Sequence, residues 1–257
     1  MLMMPMSMWA SGDGIVVDAA DFDGTNDYMT RGAGLTGAAD SKLLTQVIWF
    51  RLDGTAGNNR FIHGATTVGG GTSRFRSGCT AVGPGLMEIL GLNAAGSTVL
   101  SVRSTTALSD GEGIWRCMMA SFDLSDTGKR NLYFGDVDEL DVVTYTDDSI
   151  DFTLADWAVG ALAAGTFKWD GCLAEVWFAP GQYLDFSVEA NRRKFITAGG
   201  KPANLGADGS LPTGTAPLIY LHLNNGEAVE NFATNRGTGG SFSITGTLDT
   251  ASTSPSD

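Results

Sequence analysis

Apolar and polar residues alternate with a period of two along most of the chain, in short runs separated by Gly, Asp, Asn and Ser clusters. A period of two sends successive side chains to opposite faces of a pleated strand. The pattern predicts strands over 15–18, 20–23, 26–30, 43–52, 59–63, 73–77, 85–92, 97–103, 114–123, 130–135, 139–145, 156–161, 170–179, 217–223 and 241–246. Strands so closely spaced, with turn residues between them, describe an all-β sandwich rather than alternating strands and helices. One stretch has helical spacing: in FSVEANRRKFI at 186–196, Ser187 can cap the N-terminus and Phe195 and Ile196 follow Val188. Gly199, Gly200 and Pro202 close it.

The alternation also assigns faces. In CLAEVWF, Cys172, Ala174, Val176 and Phe178 share the core side, opposite Leu173, Glu175 and Trp177. In PLIYLHL, Ile219, Leu221 and Leu223 form an apolar face, with Leu218, Tyr220 and His222 on an amphipathic one. Segment 114–123 is apolar on both sides, Trp115, Cys117 and Met119 against Ile114, Met118 and Phe122, which places it centrally and covered on both faces. In QVIWF, Ile48 and Phe50 oppose Val47 and Trp49, so one aromatic points away from the core.

Composition adds limits. With 257 residues, 43% hydrophobic and 18% charged, the chain can bury a core as one large sandwich. Its 35 glycines, scattered between apolar runs, suit many tight turns. Sixteen basic against 29 acidic residues give a net charge of −13, which repels a nucleic-acid backbone. Cys79, Cys117 and Cys172 form no CxxC pair and read as buried free thiols, which suits folding in a reducing cytoplasm; with His63 and His222 the only histidines, zinc is disfavoured. No run reaches the ~18 apolar residues of a membrane span. We expect a greasy arm over 1–14, a domain over 15–250 and a flexible tail over 251–257, with no internal repeat. An arm with no place in its own domain suits a homo-oligomer.

Several stretches, in order, resemble the laminin G-like and pentraxin-like jelly rolls of the concanavalin A-like class. FDGTNDY at 22–28 resembles that family's first hairpin, and QVIWF at 46–50 the following core strand. IWRCMMASFDLSDTGKRNLYFGD at 114–136 resembles its Trp-opened strand, polar turn and return strand. WAVGALAAGTFKWDGCLAEVWF at 157–178 resembles the Gly-containing strand, loop and G-x-hydrophobic-x-E strand. The resemblance implies an antiparallel two-sheet jelly-roll sandwich. The C-terminal NFATNRGTGGSFSITGTL is similar to the ends of laminin G-like proteins from phage and prophage structural gene clusters. That implies a virion component, a capsid decoration, head fibre or tail protein assembled in the host cytoplasm, with other virion proteins as partners.

Candidate chemistry is thin. Laminarinase-type hydrolases of this fold need two carboxylates on an E-x-D-x-x-E strand, about 5 to 5.5 Å apart for retention. Here Glu139 and Asp141 are followed by Thr144 where the second Glu belongs, so the pair is missing. Glu227 and Glu230 read as solvated loop carboxylates, and no GxSxG elbow accompanies His63 or His222. The turns Asp23, Asn26, Asp27 and Asp123, Ser125, Asp126 offer oxygens to calcium, a cofactor some family members hold, but side-chain turn capping accounts for them. Gly69 to Gly71 read as loop. We therefore expect no enzyme, and, beside the virion reading, a lectin-like module for host-surface or polysaccharide adhesion. Its aromatic platform and planar polar groups would be Trp49 with Arg51, Glu175 with Trp177, and Tyr220 with His222.

Overall fold

The computed structural model describes residues 14–55, 57–67, 73–81, 85–109, 111 and 113–257. The expected arm, save Gly14, and the glycines 69–71 lie outside the described residues. Seventeen strands run in order: β1 Val17–Asp18, β2 Ala20–Asp23, β3 Tyr28–Arg31, β4 Leu43–Leu52, β5 Arg60–Thr66, β6 Ser73–Thr80, β7 Leu86–Leu92, β8 Thr98–Ala107, β9 Trp115–Asp123, β10 Arg130–Phe134 and β11 Val137–Asp138. They continue with β12 Asp141–Tyr145, β13 Asp156–Val159, β14 Asp170–Pro180, β15 Ile219–Asn224, β16 Ser243–Thr245 and β17 Asp249–Thr250.

All pairings are antiparallel. One sheet orders its strands β1-β15-β14-β4-β9-β10-β11, with β2 added beside β14 and β17 beside β2; the other runs β12-β8-β7-β6-β5-β13-β3-β16. Between them lies the main core, built from Ile48, Phe50, Phe75, Met118, Phe122, Trp157, Val176 and Phe178 among others. The two-sheet sandwich expected from the alternation is the one observed. No described helix is long and apolar enough to cross a membrane.

A second apolar cluster lies on the opposite face of the first sheet, where Val47, Trp49, Cys117, Met119, Trp177 and Tyr220 meet Phe186, Phe195, Ile196 and Leu205. The segment between β14 and β15 thus folds back as a cover, so β4, β9 and β14 are buried on both faces. That explains the two-sided apolarity of 114–123, and why Trp49 leaves the main core without reaching solvent.

Strand β14 departs from simple alternation. Its register against β4 pairs Leu173 with Phe50 and Glu175 with Trp49, so Ala174 is an extra residue in a β-bulge. A one-residue insertion reverses the faces. Leu173 therefore joins Val176 and Phe178 in the main core, while Ala174 joins Trp177 in the second cluster. The expected grouping of Ala174 with Val176 and Phe178 is corrected accordingly.

The expected helix is also shorter. Only Glu189–Arg192 is α-helical, and its N-cap is Val188, with no side-chain cap. Ser187 instead donates its hydroxyl to Asp185 Oδ1 at 2.6 Å. Phe195 and Ile196 are buried while Val188 is exposed, so the three do not share a face. Residues 251–257, expected as a flexible tail, are bound to the domain: Ala251 N donates to Ala19 O at 2.9 Å, and Ser256 Oγ accepts from Val17 N at 2.9 Å. Hydrogen bonds hold this small polar stretch alongside the packing of Ala251 on the second cluster, and they leave no hydropathy pattern.

Candidate functional site

Glu175 on β14 and His222 on β15 are direct cross-strand partners, as are Trp177 and Tyr220. Trp49 on β4 lies on the other side of Glu175. Five of the six residues expected to form a sugar platform therefore share one region, but not as an open surface: Trp49, Glu175, Trp177, Tyr220 and His222 are 3%, 2%, 0%, 1% and 4% exposed. The cover between β14 and β15 explains it. Phe195 packs edge-on against Trp177 at 5.2 Å between ring centres, and Trp177 Nε1 donates to Gly209 O at 2.8 Å. Gly209 holds φ +76°, and a Cβ there would come within 3.0 Å of the Tyr220 ring, so this position favours glycine. Trp49 and Trp177 are core residues. Arg51 is committed elsewhere: Nε and Nη2 grip Asp53 at 2.8 and 2.7 Å, and Nη1 donates to Thr253 Oγ1 at 2.6 Å.

Tyr220 and His222 instead form the inner wall of a cleft of about 540 Å3, completed by Ile15, Val16, Asn204, Gly206, Ala207, Asn224, Asn225 and Arg236. A polar chain runs from its floor to its rim. His222 Nδ1 lies 3.0 Å from Glu175 Oε1, and its Nε2 lies 3.3 Å from Asn224 Oδ1. Asn224 Nδ2 donates to Glu227 Oε2 at 2.9 Å, and that oxygen also accepts from Arg236 Nη2 at 2.6 Å. An amide nitrogen facing Glu227 fixes Asn224 Oδ1 toward the imidazole, so Nε2 carries a hydrogen. Nδ1 faces Glu175 Oε1, so both ring nitrogens have an oxygen partner. Burial raises the Glu175 carboxyl above its ordinary range, and hydrogen bonding to His222 and Tyr220 opposes that rise. The rings of Tyr220 and His222 stack at 5.5 Å and 21°.

Asn235 positions the rim. Its Oδ1 accepts from Tyr220 N at 2.8 Å while its Nδ2 donates to Leu218 O at 2.8 Å, clamping the 235–240 loop on β15 and setting Arg236 beside Glu227. A carboxylate–imidazole pair orients a base in hydrolytic sites, yet here Nε2 faces the Asn224 amide where a nucleophile's hydroxyl would be needed. Glu139 is likewise occupied, accepting from Thr105 Oγ1, Thr106 N and Thr106 Oγ1 at 2.7 to 2.8 Å.

The oxygen-rich turns are capped by their own backbone. Asp23 Oδ1 accepts from the N–H groups of Thr25, Asn26 and Asp27 at 2.7, 3.0 and 3.2 Å. Its modest burial raises the carboxyl, but these donors prevail and hold it below the usual range. Asp123 is bonded to Ser125 and, at 3.0 Å, to Lys129 Nζ. Among the described residues, Asp21, Asp53 and Cys172 could bring three ligand atoms within 4.8 Å of one another. Burial pushes the Cys172 thiol up and keeps it protonated, and Arg51 already neutralises Asp53. That chemistry suits a thiol hydrogen bond better than a cation.

No family model matches the chain, and no curated protein does. Solved structures do. A Bacteroides ovatus protein described as a "putative carbohydrate binding protein" superposes with a TM-score of 0.61 at 16% identity, over 93% of this chain and 61% of that one. This chain thus spans about three fifths of that protein. A heptameric SAP-like pentraxin of Limulus polyphemus gives 0.47 at 14% identity over 65% and 77% of the two chains, and domains LG4-5 of mouse laminin alpha1 give 0.42 at 18% over 67% and 44%. Identities this low speak to fold alone. The chain has an antiparallel two-sheet jelly-roll fold of the concanavalin A-like class.

Proposed function

We propose that this chain is a non-enzymatic glycan-binding module whose ligand, a neutral sugar, occupies the cleft between β15, the 204–207 loop and the 235–240 loop. The observation that carries the reading is the cleft's lining: three Asn amides and a guanidinium beside the apolar edge of half-buried Ile15 and exposed Val16. Planar amides donate and accept in pairs, which matches vicinal hydroxyls, while an apolar edge meets the C–H face of a pyranose. Arg236 is balanced by Glu227, so the lining favours an uncharged ligand. The virion reading draws no support from the fold neighbours, and the glycan reading takes its place.

A glycan array at neutral pH, run with and without a calcium chelator, tests the proposal. Because Asp23 and Asp123 already serve their own turns, we expect binding to neutral oligosaccharides that survives chelation. Binding abolished by the chelator would contradict this account of the site.

A further inference from the structure

We propose a second, chemically distinct site on the outward face of the other sheet, one that takes an acidic sugar, a hexuronate. A cavity of about 250 Å3 opens there, between the end of β5, the start of β6 and the 162–167 loop. It is smaller than the ~300 to 1,000 Å3 of sites for drug-sized ligands, which limits the occupant to about one ring.

Thr66 lines this cavity, is 2% exposed, and its hydroxyl has no hydrogen-bond partner. Buried hydroxyls are nearly always satisfied, and an orphan at the wall of a cavity points to a partner that arrives from outside. Arg76 lines it too, spending Nε and Nη2 on Glu88 Oε2 at 3.1 and 2.8 Å. Glu88 is held from its other side by Arg103. That double grip fixes the Arg76 plane and leaves Nη1 as the nitrogen to offer a ligand.

Charge selects the ligand class. Register places Arg74, Arg76, Glu88, Arg103 and Asp141 on one face of β6, β7, β8 and β12, and Asp156 beside Thr66. Of these groups Arg76 is the one that lines the cavity, and it shares its carboxylate partner, Glu88, with Arg103. A ligand carboxylate complements a guanidinium that holds only a share of Glu88, and a guanidinium edge suits it geometrically.

An aromatic wall selects the rest. Phe167 is 49% exposed and packs edge-on against Phe61 at 5.7 Å, and Arg76 lies over the Phe61 ring at 5.2 Å. Phe167 holds φ +55°, the only non-glycine with positive φ among the described residues. Strain of this kind gathers at binding sites, and here it leaves an apolar ring uncovered beside the cavity. A carboxylate on a pyranose satisfies Arg76 and Phe167 together, whereas a free inorganic anion satisfies only the first.

The test is titration of the full chain with methyl β-glucuronide and methyl β-glucoside, with inorganic phosphate as a third arm. Variants are Thr66→Val, Arg76→Met and, in the first cleft, Asn225→Ala. We expect saturable binding of the glucuronide, at least tenfold weaker binding of the glucoside and phosphate, and weakening as salt rises. Thr66→Val keeps the side-chain shape and removes only the orphan hydroxyl, so it should melt no lower than the wild type while binding the glucuronide several-fold more weakly. Arg76→Met should weaken it at least tenfold, and Asn225→Ala should leave it unchanged, which separates this site from the first. Equal affinity for the two glycosides, phosphate binding as tight as the glucuronide, or undiminished binding by a folded Thr66→Val together with Arg76→Met would overturn the proposal.

Discussion

Acidification from pH 7 to pH 4.5 should cost this domain about 3 kcal/mol through His63 alone, a cost that His63→Gln should remove. His63 sits fully buried between the sheets, with its Nε2 3.0 Å from Gln46 Oε1 and its ring 4.9 Å from that of Phe178. Gln46 Nε2 donates to Ser77 Oγ at 3.1 Å, so its oxygen faces the imidazole and His63 donates through Nε2. Its Nδ1 is buried without a partner. A proton added there would place an uncompensated charge in an apolar interior, and burial lowers the pKa from 6.5 to about 3. Below 6.5 the unfolded chain takes the proton and the folded one refuses it. This contribution is therefore whole above pH 6.5 and is lost as pH falls from there toward 3. Urea melts at several pH values check it: the wild type should lose stability faster than His63→Gln across that window, and parallel slopes would refute it.

Trp177→Ala should lower stability by about 3 to 5 kcal/mol, the usual cost of emptying a large aromatic site. The indole is fully buried, touches Phe195 and donates to Gly209 O. Its loss removes the central pillar between the first sheet and the cover formed by residues 181–216. We expect limited proteolysis to cut the variant within that cover under conditions where the wild type survives. An intact cover and a loss under 1 kcal/mol would contradict its place in the second cluster. The same burial makes Trp177 useless as a probe of sugar binding, since truncation disturbs the fold before it reports on a ligand.

The sequence displayed the architecture well, because the long strands bury at least one face and burial leaves a period-two trace. Segment 114–123 showed both its strand character and its central position, and PLIYLHL showed which residues point inward. The bulge at Ala174 left no trace, since one inserted residue in CLAEVWF keeps the composition and shifts only the phase. The cover was missed for a related reason: it is irregular chain, and irregular chain buries residues such as Phe186 and Leu205 without periodicity. Of the candidate site, His222 and Tyr220 were legible as a polar pair on a strand face and do line the cleft. Asn204, Asn225 and Arg236 were not, because they come from turns that only the tertiary fold brings together. Arg236 lies within NFATNRGTGG, which stood out by resemblance and not for any chemistry visible in it.

Isothermal titration of the tightest neutral oligosaccharide from an array against wild type, Asn225→Ala and Arg236→Ala tests the central claim most directly. Each substitution removes a polar side chain from the cleft lining, the Arg236 one bonded to Glu227, and leaves both apolar clusters untouched. The account predicts at least a tenfold loss of affinity for each, about 1.4 kcal/mol or more, with melting temperatures near that of the wild type. Wild-type affinity in both folded variants would contradict it.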